Sequence, residues 1–320
     1  MRQRYLALLL SFATLPAMAL NFQTRLENVE WSVGGDQFEC RLTQPIENFG
    51  AGEFVRRAGE KATFRLVSSS AVLGNGSATL LAAAAPWQPG RGDVALGAVR
   101  LGVGEYPLSS TQSQAAGLIS GLLEGRSSVV RTFSSEAGRT VEVRVLPVKF
   151  AQAYGQYQAC AAKLLPMNFD QVRMTQVGFP GGGYELDAAA KNRLNTILAY
   201  LKADPTVNHI ELDGHSDNSG NRLNNRDVSR RRALAVMEYF KARGIPEEQM
   251  VMRFHGEQYP VVPNTSPANR ARNRRVNIQL ERVVVEAPAP ASLAAPAPAP
   301  APSAAAVPPP APAPAASPVK

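Results

Sequence analysis

Histidine, cysteine and long apolar runs are scarce in this chain of 320 residues. With only three histidines, a metal site built mainly from histidine has few possible ligands. Two cysteines are too few for a disulfide-rich mini-scaffold or a four-cysteine zinc site. No run of 18 or more apolar residues occurs, so we expect no transmembrane helix in the mature protein. These shortages argue against a histidine-rich metalloprotein and against a helical membrane protein.

The first 19 residues have the three-part order of a secretory signal peptide. Arg2 and Arg4 form a positive n-region, residues 5–15 are an apolar h-region, and residues 17–19 read Ala-Met-Ala, an A-x-A cleavage site. We predict cleavage after this tripeptide and export to the periplasm. Leu20 follows the cut where a lipoprotein has cysteine, so no lipid anchor is expected.

The charge balance is basic without being extreme. A net charge of +8, from 34 basic and 26 acidic residues, invites a nucleic-acid interpretation. Arg230, Arg231 and Arg232 are consecutive, but in a helix they point in different directions, and no aromatic platform separates them. Since export also removes the chain from chromosomal DNA, we expect no nucleic-acid partner.

The mature chain divides into three segments of different composition. Residues 20–165 alternate apolar and polar side chains between glycine-rich breaks, which predicts a β-rich domain, except that residues 150–164 have helical spacing. Residues 166–286 alternate between strand and helix patterns, which predicts an α/β sandwich with a mixed sheet. Residues 287–320 hold 12 of the 25 prolines, mostly in Ala-Pro repeats, and are predicted to be a disordered tail. The fold class is therefore α+β.

Apolar periodicity locates the main elements of the second segment. Helices are predicted over 187–203 and 228–243, and strands over 209–213, 250–254 and 276–280.

One block of the second segment carries a dense motif. Its elements are Gly214-His215-Ser216-Asp217, Gly220, Asn225, Val228-Ser229, Arg232-Ala233, Gly244-Ile245 and Asn273-Arg274-Arg275-Val276. They resemble the OmpA-like peptidoglycan-binding domain, whose pattern is G-H-[TS]-D-x-x-G, N-x-x-L-S-x-x-R-A, G-I and N-R-R-V. Val228 stands where Leu is usual, and Asn269 where Gly often precedes Arg270. The resemblance covers about a third of the chain and implies non-covalent binding to the cell wall.

The chemistry of the block suits a zwitterionic ligand. Asp217 follows a predicted strand, and Arg232 lies 15 residues later in the next helix. A carboxylate can take an ammonium group, while a guanidinium takes a carboxylate through two hydrogen bonds. The free end of meso-diaminopimelate, in uncrosslinked peptidoglycan stem peptides, carries both groups. By the resemblance, Asp217 and Arg232 are its ligands, Asn225 adds a polar contact, and Arg274 or Arg275 lines the rim.

Two alternatives stay open for the same residues. Asp217 and Arg232 alone could form a structural ion pair, since such pairs are common. Asp213, His215 and Asp217 could bind a metal ion if all three faced one way along a strand. Gly214 and the following turn indicate that the strand has ended, which favours a hydrogen-bonded His215 and no metal.

The two cysteines, Cys40 and Cys160, lie near opposite ends of the first segment. In the periplasm we expect them to be oxidised, with two free buried thiols as the alternative. A bridge would close a loop of about 120 residues and contribute somewhat under ~5 kcal/mol in the chain-entropy model. No C-x-x-C motif supports a redox role.

The domain order resembles the family of sodium-type flagellar motor ring proteins. The features that carry this resemblance are Phe22-x-x-x-Leu26, the strand region of Trp31 and Cys40, and residues 154–167. It implies that residues 20–165 dock on the flagellar basal body beside a MotX-like ring protein. The second domain would then hold peptidoglycan, supporting stator recruitment and torque generation. A general cell-wall tether with another periplasmic partner is the alternative, and the Ala-Pro tail has no expected counterpart.

Catalysis is not expected. The first segment contains no histidine, so a Ser-His-Asp or Cys-His mechanism cannot be built there. Glu27 and Glu30 are a conceivable carboxylate pair, but nothing distinguishes them from ordinary surface acids. We predict a non-enzymatic binding protein without a cofactor.

Overall fold

The computed structural model describes residues 19–68, 70–85, 87–88 and 90–283. Almost all of the predicted signal peptide and the whole Ala-Pro tail lie outside the described residues, so both stay predictions. No helix in this described part of the chain is long and apolar enough to cross a membrane.

The first part of the chain forms a ten-stranded sheet. Its strands are β1 Leu20–Phe22, β2 Ser32–Gly35, β3 Glu39–Ile46, β4 Gly50–Arg57, β5 Thr63–Ser68, β6 Gly76–Ala83, β7 Val94–Leu101, β8 Leu108–Ser109, β9 Ser127–Ser134 and β10 Arg139–Val145. Their order is β1-β10-β9-β6-β7-β8-β5-β4-β3-β2. The predicted alternation is seen in β5, where Phe64 and Leu66 are buried and Thr63, Arg65 and Val67 are half-buried. The β-rich prediction for this segment is confirmed.

Two helices, α1 Gln112–Leu123 and α2 Phe150–Ala161, accompany this sheet. Helix α2 was predicted, whereas α1 was not, because two glycines interrupt its apolar pattern. Those glycines serve packing: a Cβ atom at Gly117 would lie 2.7 Å from Leu96, and one at Gly121 2.8 Å from Ala82. The sequence still marks the start of α1, because Thr111 forms a capping box with Gln114 three positions later.

The predicted disulfide is confirmed. Cys40 in β3 and Cys160 in α2 are bonded, with their Cα atoms 6.1 Å apart. The bridge fastens the closing helix of the first part to an early strand. Beside it, Phe150 of α2 packs in the core, with its ring centroid 4.9 Å from that of Trp31 and 6.1 Å from that of Phe54.

The second part of the chain is a four-stranded sheet with helices. Its elements are α3 Phe169–Val172, β11 Met174–Gly178, α4 Ala188–Ala203, β12 His209–Gly214, α5 Arg222–Lys241, β13 Met250–Phe254, α6 Pro267–Asn273 and β14 Arg275–Glu281. The strand order is β11-β14-β12-β13, with β12 and β13 parallel and the other pairs antiparallel. Helix α5 packs against β12, β13 and β14, and α4 packs against β11. The predicted mixed sheet is confirmed.

Helix α5 begins six residues before the predicted start at Val228. Asn221 caps it, since its side-chain oxygen accepts a hydrogen bond of 2.9 Å from the backbone amide of Asn224. The first two turns are polar and include an exposed Leu223, so apolar periodicity could not reveal them. Arg232 therefore lies well inside the helix rather than in its first turns.

A junction of polar and aromatic contacts joins the two parts. Phe38, just before β3, packs edge-on against Tyr200 of α4, with ring centroids 5.6 Å apart. The side chain of Asn168 donates hydrogen bonds of 2.7 and 3.1 Å to two oxygens of the turn between β4 and β5. Arg57 and Asp170 form an ion pair of 3.0 Å. The described residues between 19 and Arg282 therefore form one compact unit.

Candidate functional site

The site lies where strand β12 ends and helix α5 passes close to it. A Cβ atom at Gly214 would lie 2.1 Å from the carbonyl oxygen of Ser229, so only glycine permits this approach. The chain then turns, and Asp217 follows as a buried carboxylate with 7% exposure.

Asp217 is held by two donors. Its Oδ1 accepts a hydrogen bond of 2.9 Å from the backbone amide of Ser219, and its Oδ2 accepts one of 2.8 Å from Nη1 of Arg274. Burial acts to raise the pKa of the Asp217 carboxyl, but the hydrogen bonds from Arg274 and Ser219 outweigh it and lower the pKa below its ordinary value. The group is therefore an anion at neutral pH, ready to accept an ammonium group.

Arg232 approaches the same place from α5 and is 1% exposed. Its Nη1 donates to the carbonyl oxygen of His215 at 3.0 Å, its Nη2 to that of Gly182 at 2.5 Å, and its Nε to that of Gly183 at 2.8 Å. Burial lowers the pKa of Arg232 to about 10, with Asp217 opposing the shift and Arg274 adding to it. The guanidinium is thus a buried cation at neutral pH, and within the described part of the chain its three hydrogen bonds go to neutral carbonyls.

Arg274 joins the site from the end of α6. Besides its bond to Asp217, its Nε donates to the carbonyl oxygen of Phe179 at 3.0 Å, and its Nη2 donates to that of Pro180. Among the described residues, the ion partner of Asp217 is therefore Arg274 rather than Arg232. The ion pair between Asp217 and Arg232 that the sequence left open is not the arrangement found.

Asn225 and Arg275 are buried, each with 4% exposure. The Asn225 side chain donates to the carboxylate of Glu257. Arg275 donates to Asn277 at 3.1 Å and to the carbonyl oxygen of Tyr259 at 3.2 Å. Arg275 does not line the rim as expected, because it is buried on the face of β14 opposite the core residues Val276 and Ile278, and this burial lowers the pKa of its guanidinium.

His215 supports the site from below. Its ring stacks on His255 at a centroid distance of 5.1 Å, and its Nε2 lies 3.3 Å from the amide nitrogen of Asn277. Burial, aided by Arg275 and His255, lowers the pKa of His215 to about 4, so the ring is neutral. Nε2 of His255 in turn lies 3.1 Å from Oδ1 of Asp213. Among the described residues, no cluster of three or more histidine, cysteine or acidic side chains is arranged to hold a metal ion.

Sequence reasoning missed the segment that covers the two arginines. Residues 179–183, Phe-Pro-Gly-Gly-Gly, follow β11 and supply four carbonyl oxygens to Arg232 and Arg274. We call this segment the glycine strap. Its three consecutive glycines were the available signal. It also missed His255, which lies 40 residues from His215 and reaches it only because β13 pairs with β12.

Comparison with known families identifies both parts of the chain. Residues 22–166 match the MotY N-terminal domain, and residues 178–274 match the OmpA family. The chain joins a MotY N-terminal domain to an OmpA domain. The sodium-type flagellar protein MotY of Vibrio parahaemolyticus is 26% identical over 284 residues, which cover 87% of this chain and 96% of that protein. The predicted resemblance is confirmed for both domains.

Other similar proteins match about a third of the chain. The outer-membrane lipoprotein YfiB of Pseudomonas aeruginosa is 36% identical over 93 residues, which are 29% of this chain and 55% of that protein. The solved C-terminal domain of Helicobacter pylori MotB, residues 125–256, is 22% identical, with a TM-score of 0.32. The match covers 34% of this chain and 86% of that one.

Proposed function

We propose that this protein is a periplasmic component of the flagellar motor that binds peptidoglycan non-covalently through its OmpA domain. The observation that carries the proposal is an ionised Asp217 beside Arg232 and Arg274, in a chain similar to a flagellar MotY protein along nearly its whole length. The OmpA-family match over residues 178–274 encloses all three side chains.

The charges of the site favour the free end of meso-diaminopimelate as ligand. Among the described residues, the hydrogen-bond acceptors of the buried Arg232 are all neutral, and a buried cation without an anionic partner is costly. A ligand carboxylate would supply that partner, while the ammonium group of the same ligand would meet Asp217. Asn225 and Arg275 act indirectly, by holding the floor of the site through Glu257, Asn277 and the Tyr259 carbonyl.

The MotY N-terminal domain supplies the motor attachment in this proposal. Residues 20–165 dock on the basal body beside a MotX-like ring protein, and residues 166–286 hold the wall. The fixed ring then supports stator recruitment and torque generation. The match of residues 22–166 to a domain named for a flagellar protein supports this division. The relatives that match about a third of the chain favour the second candidate, a general wall tether with another periplasmic partner.

Wall binding is tested by pull-down of the mature protein with purified peptidoglycan. We expect Asp217→Asn and Arg232→Lys each to abolish co-sedimentation while circular dichroism stays that of the wild type. Arg231→Lys is the matched control, because Arg231 is exposed and pairs with Asp227 on the same helix. Full wall binding by both site variants would contradict the ligand assignment.

Motor function is tested by swimming and electron microscopy of a strain lacking the protein. Intact but paralysed or weakly rotating filaments, restored by the wild type and not by Asp217→Asn, are the expected result. Normal swimming with a misshapen or leaky envelope would favour the general tether.

A further inference from the structure

The glycine strap meets Arg232 in the way that a ligand carboxylate does. A guanidinium grips a carboxylate best through two parallel N–H groups on one edge of its plane. On Arg232 the edge formed by Nε and Nη2 is filled by two successive carbonyl oxygens, those of Gly183 at 2.8 Å and Gly182 at 2.5 Å. We propose that the strap is a built-in competitor, which occupies the carboxylate position of Arg232 and must withdraw before the wall ligand binds.

A second anchor holds the strap in this closed position. Arg274 donates to the carbonyl oxygens of Phe179 and Pro180, at the start of the same segment. Both cations of the site are therefore engaged with strap backbone. With Arg232 only 1% exposed, a ligand carboxylate has no route to its Nε–Nη2 edge while the strap is in place.

The exposure and the glycine content of the strap favour its displacement. Gly181, Gly182 and Gly183 are exposed and carry no side chain to pack on the core. On either side the chain is fixed, by the buried Phe179 and by Asp187, which caps helix α4. Three glycines between these fixed points give the backbone wide conformational freedom.

The exchange of strap for ligand is favourable in chemical terms. The strap offers Arg232 neutral carbonyl oxygens, whereas the ligand offers an ionised carboxylate, and hydrogen bonds between two charged groups are the stronger. The released carbonyl groups become hydrated, because the strap already lies at the surface. The observed affinity then equals the intrinsic affinity multiplied by the fraction of molecules with the strap open. This inference rests on the proposed role of Arg232 in wall binding.

Gly182 allows the closed position to be weakened without touching Arg232. Its φ of +86° is left-handed, a conformation that alanine adopts at a cost, and a Cβ atom there would meet nothing within 4 Å. Gly182→Ala therefore penalises the closed strap through backbone strain alone. Gly244→Ala is the matched control, because Gly244 has a φ of +93° and equally open surroundings at the far end of α5.

The experiment is isothermal titration of the mature protein with an uncrosslinked muropeptide whose stem ends in meso-diaminopimelate. We expect Gly182→Ala to bind about fivefold more tightly than wild type, which is about 1 kcal/mol, and Gly244→Ala to bind as wild type does. Unchanged or weaker binding by Gly182→Ala would overturn the competitor role and make the strap a neutral or supporting part of the site. Equal tightening by Gly244→Ala would also overturn it.

A failure of the proposed function gives a different pattern. If neither the wild type nor Gly182→Ala binds the muropeptide, both the wall-binding role and the strap fall. If the wild type binds and Arg232→Lys does not, while Gly182→Ala shows no gain, the wall-binding role stands and only the strap inference falls.

Discussion

Replacing Arg274 by methionine removes the ion partner of Asp217 and keeps most of the volume of the side chain. The two side chains are 15% and 10% exposed, so water screens the pair only slightly. Breaking a pair of this kind costs ~3–5 kcal/mol, because one charge is left buried and unpaired. Asp217 keeps its bond from Ser219, so we expect a loss near the lower end, about 3 kcal/mol at pH 7.

The stability lost in Arg274→Met should depend on pH, and this dependence distinguishes the loss of the ion pair from other causes. In the wild type the pKa of Asp217 is lowered, so its ionisation stabilises the fold above the ordinary value near 3.8, and that contribution disappears as the pH falls through the lowered pKa. In Arg274→Met the hydrogen bond and the charge of Arg274 no longer lower the pKa of the Asp217 carboxyl, so the pKa rises relative to the wild type and ionisation of the carboxyl stabilises the fold less. The stability deficit of the variant should therefore be largest near pH 7 and shrink as the pH falls below about 4.

Urea unfolding of the mature protein, followed by circular dichroism between pH 7 and pH 3, measures this deficit. Arg272→Met is the control, because Arg272 is an exposed arginine in the last turn of α6, two residues before Arg274, and loses the same charge. A deficit that stays constant with pH, or an equal deficit in the control, would refute the account of Asp217.

Three further predictions concern other parts of the molecule. Cys40→Ser should lower the free energy of unfolding by up to ~5 kcal/mol and reduce periplasmic abundance, because the bridge closes a loop of 120 residues. Normal abundance and protease resistance of the variant would count against this stabilisation. Gly214→Ala should unfold the OmpA domain or lower its melting temperature by about ten degrees or more, since the new Cβ atom would lie 2.1 Å from the Ser229 carbonyl oxygen. An unchanged melting curve would contradict this close approach. The ring signals of His215 in NMR spectra should stay constant from pH 8 to about 5.5 and move only toward about pH 4, because burial lowers the pKa of the His215 ring. A titration midpoint of these signals near 6.5 would disprove the buried, neutral state.

The sequence indicated Asp217 and Arg232 as candidate ligands because both belong to one short strand–loop–helix stretch. It could not pair Asp217 with Arg274, which comes from 57 residues further on and meets it only after β14 has joined β12. It did not reveal the role of the strap either, since the three consecutive glycines indicate only conformational freedom, and the carbonyl oxygens that bind the arginines are common to all residues. The two-domain plan was predictable from composition, whereas α1 was hidden by the glycines that let it pack closely on β6 and β7.

The junction between the two domains has a mechanical consequence. Phe38, which packs against Tyr200 of the OmpA domain, lies two residues before Cys40. Cys160 lies five residues before Leu165, where the backbone passes into the OmpA domain. The backbone amide of Leu165 also donates to the carbonyl oxygen of Gln37 at 2.9 Å. A force that pulls the two domains apart is thus divided between two parallel attachments, and the disulfide between Cys40 and Cys160 links the two covalently. Peeling strand β3 away from helix α2 under shear would require breaking a sulfur–sulfur bond rather than a row of hydrogen bonds.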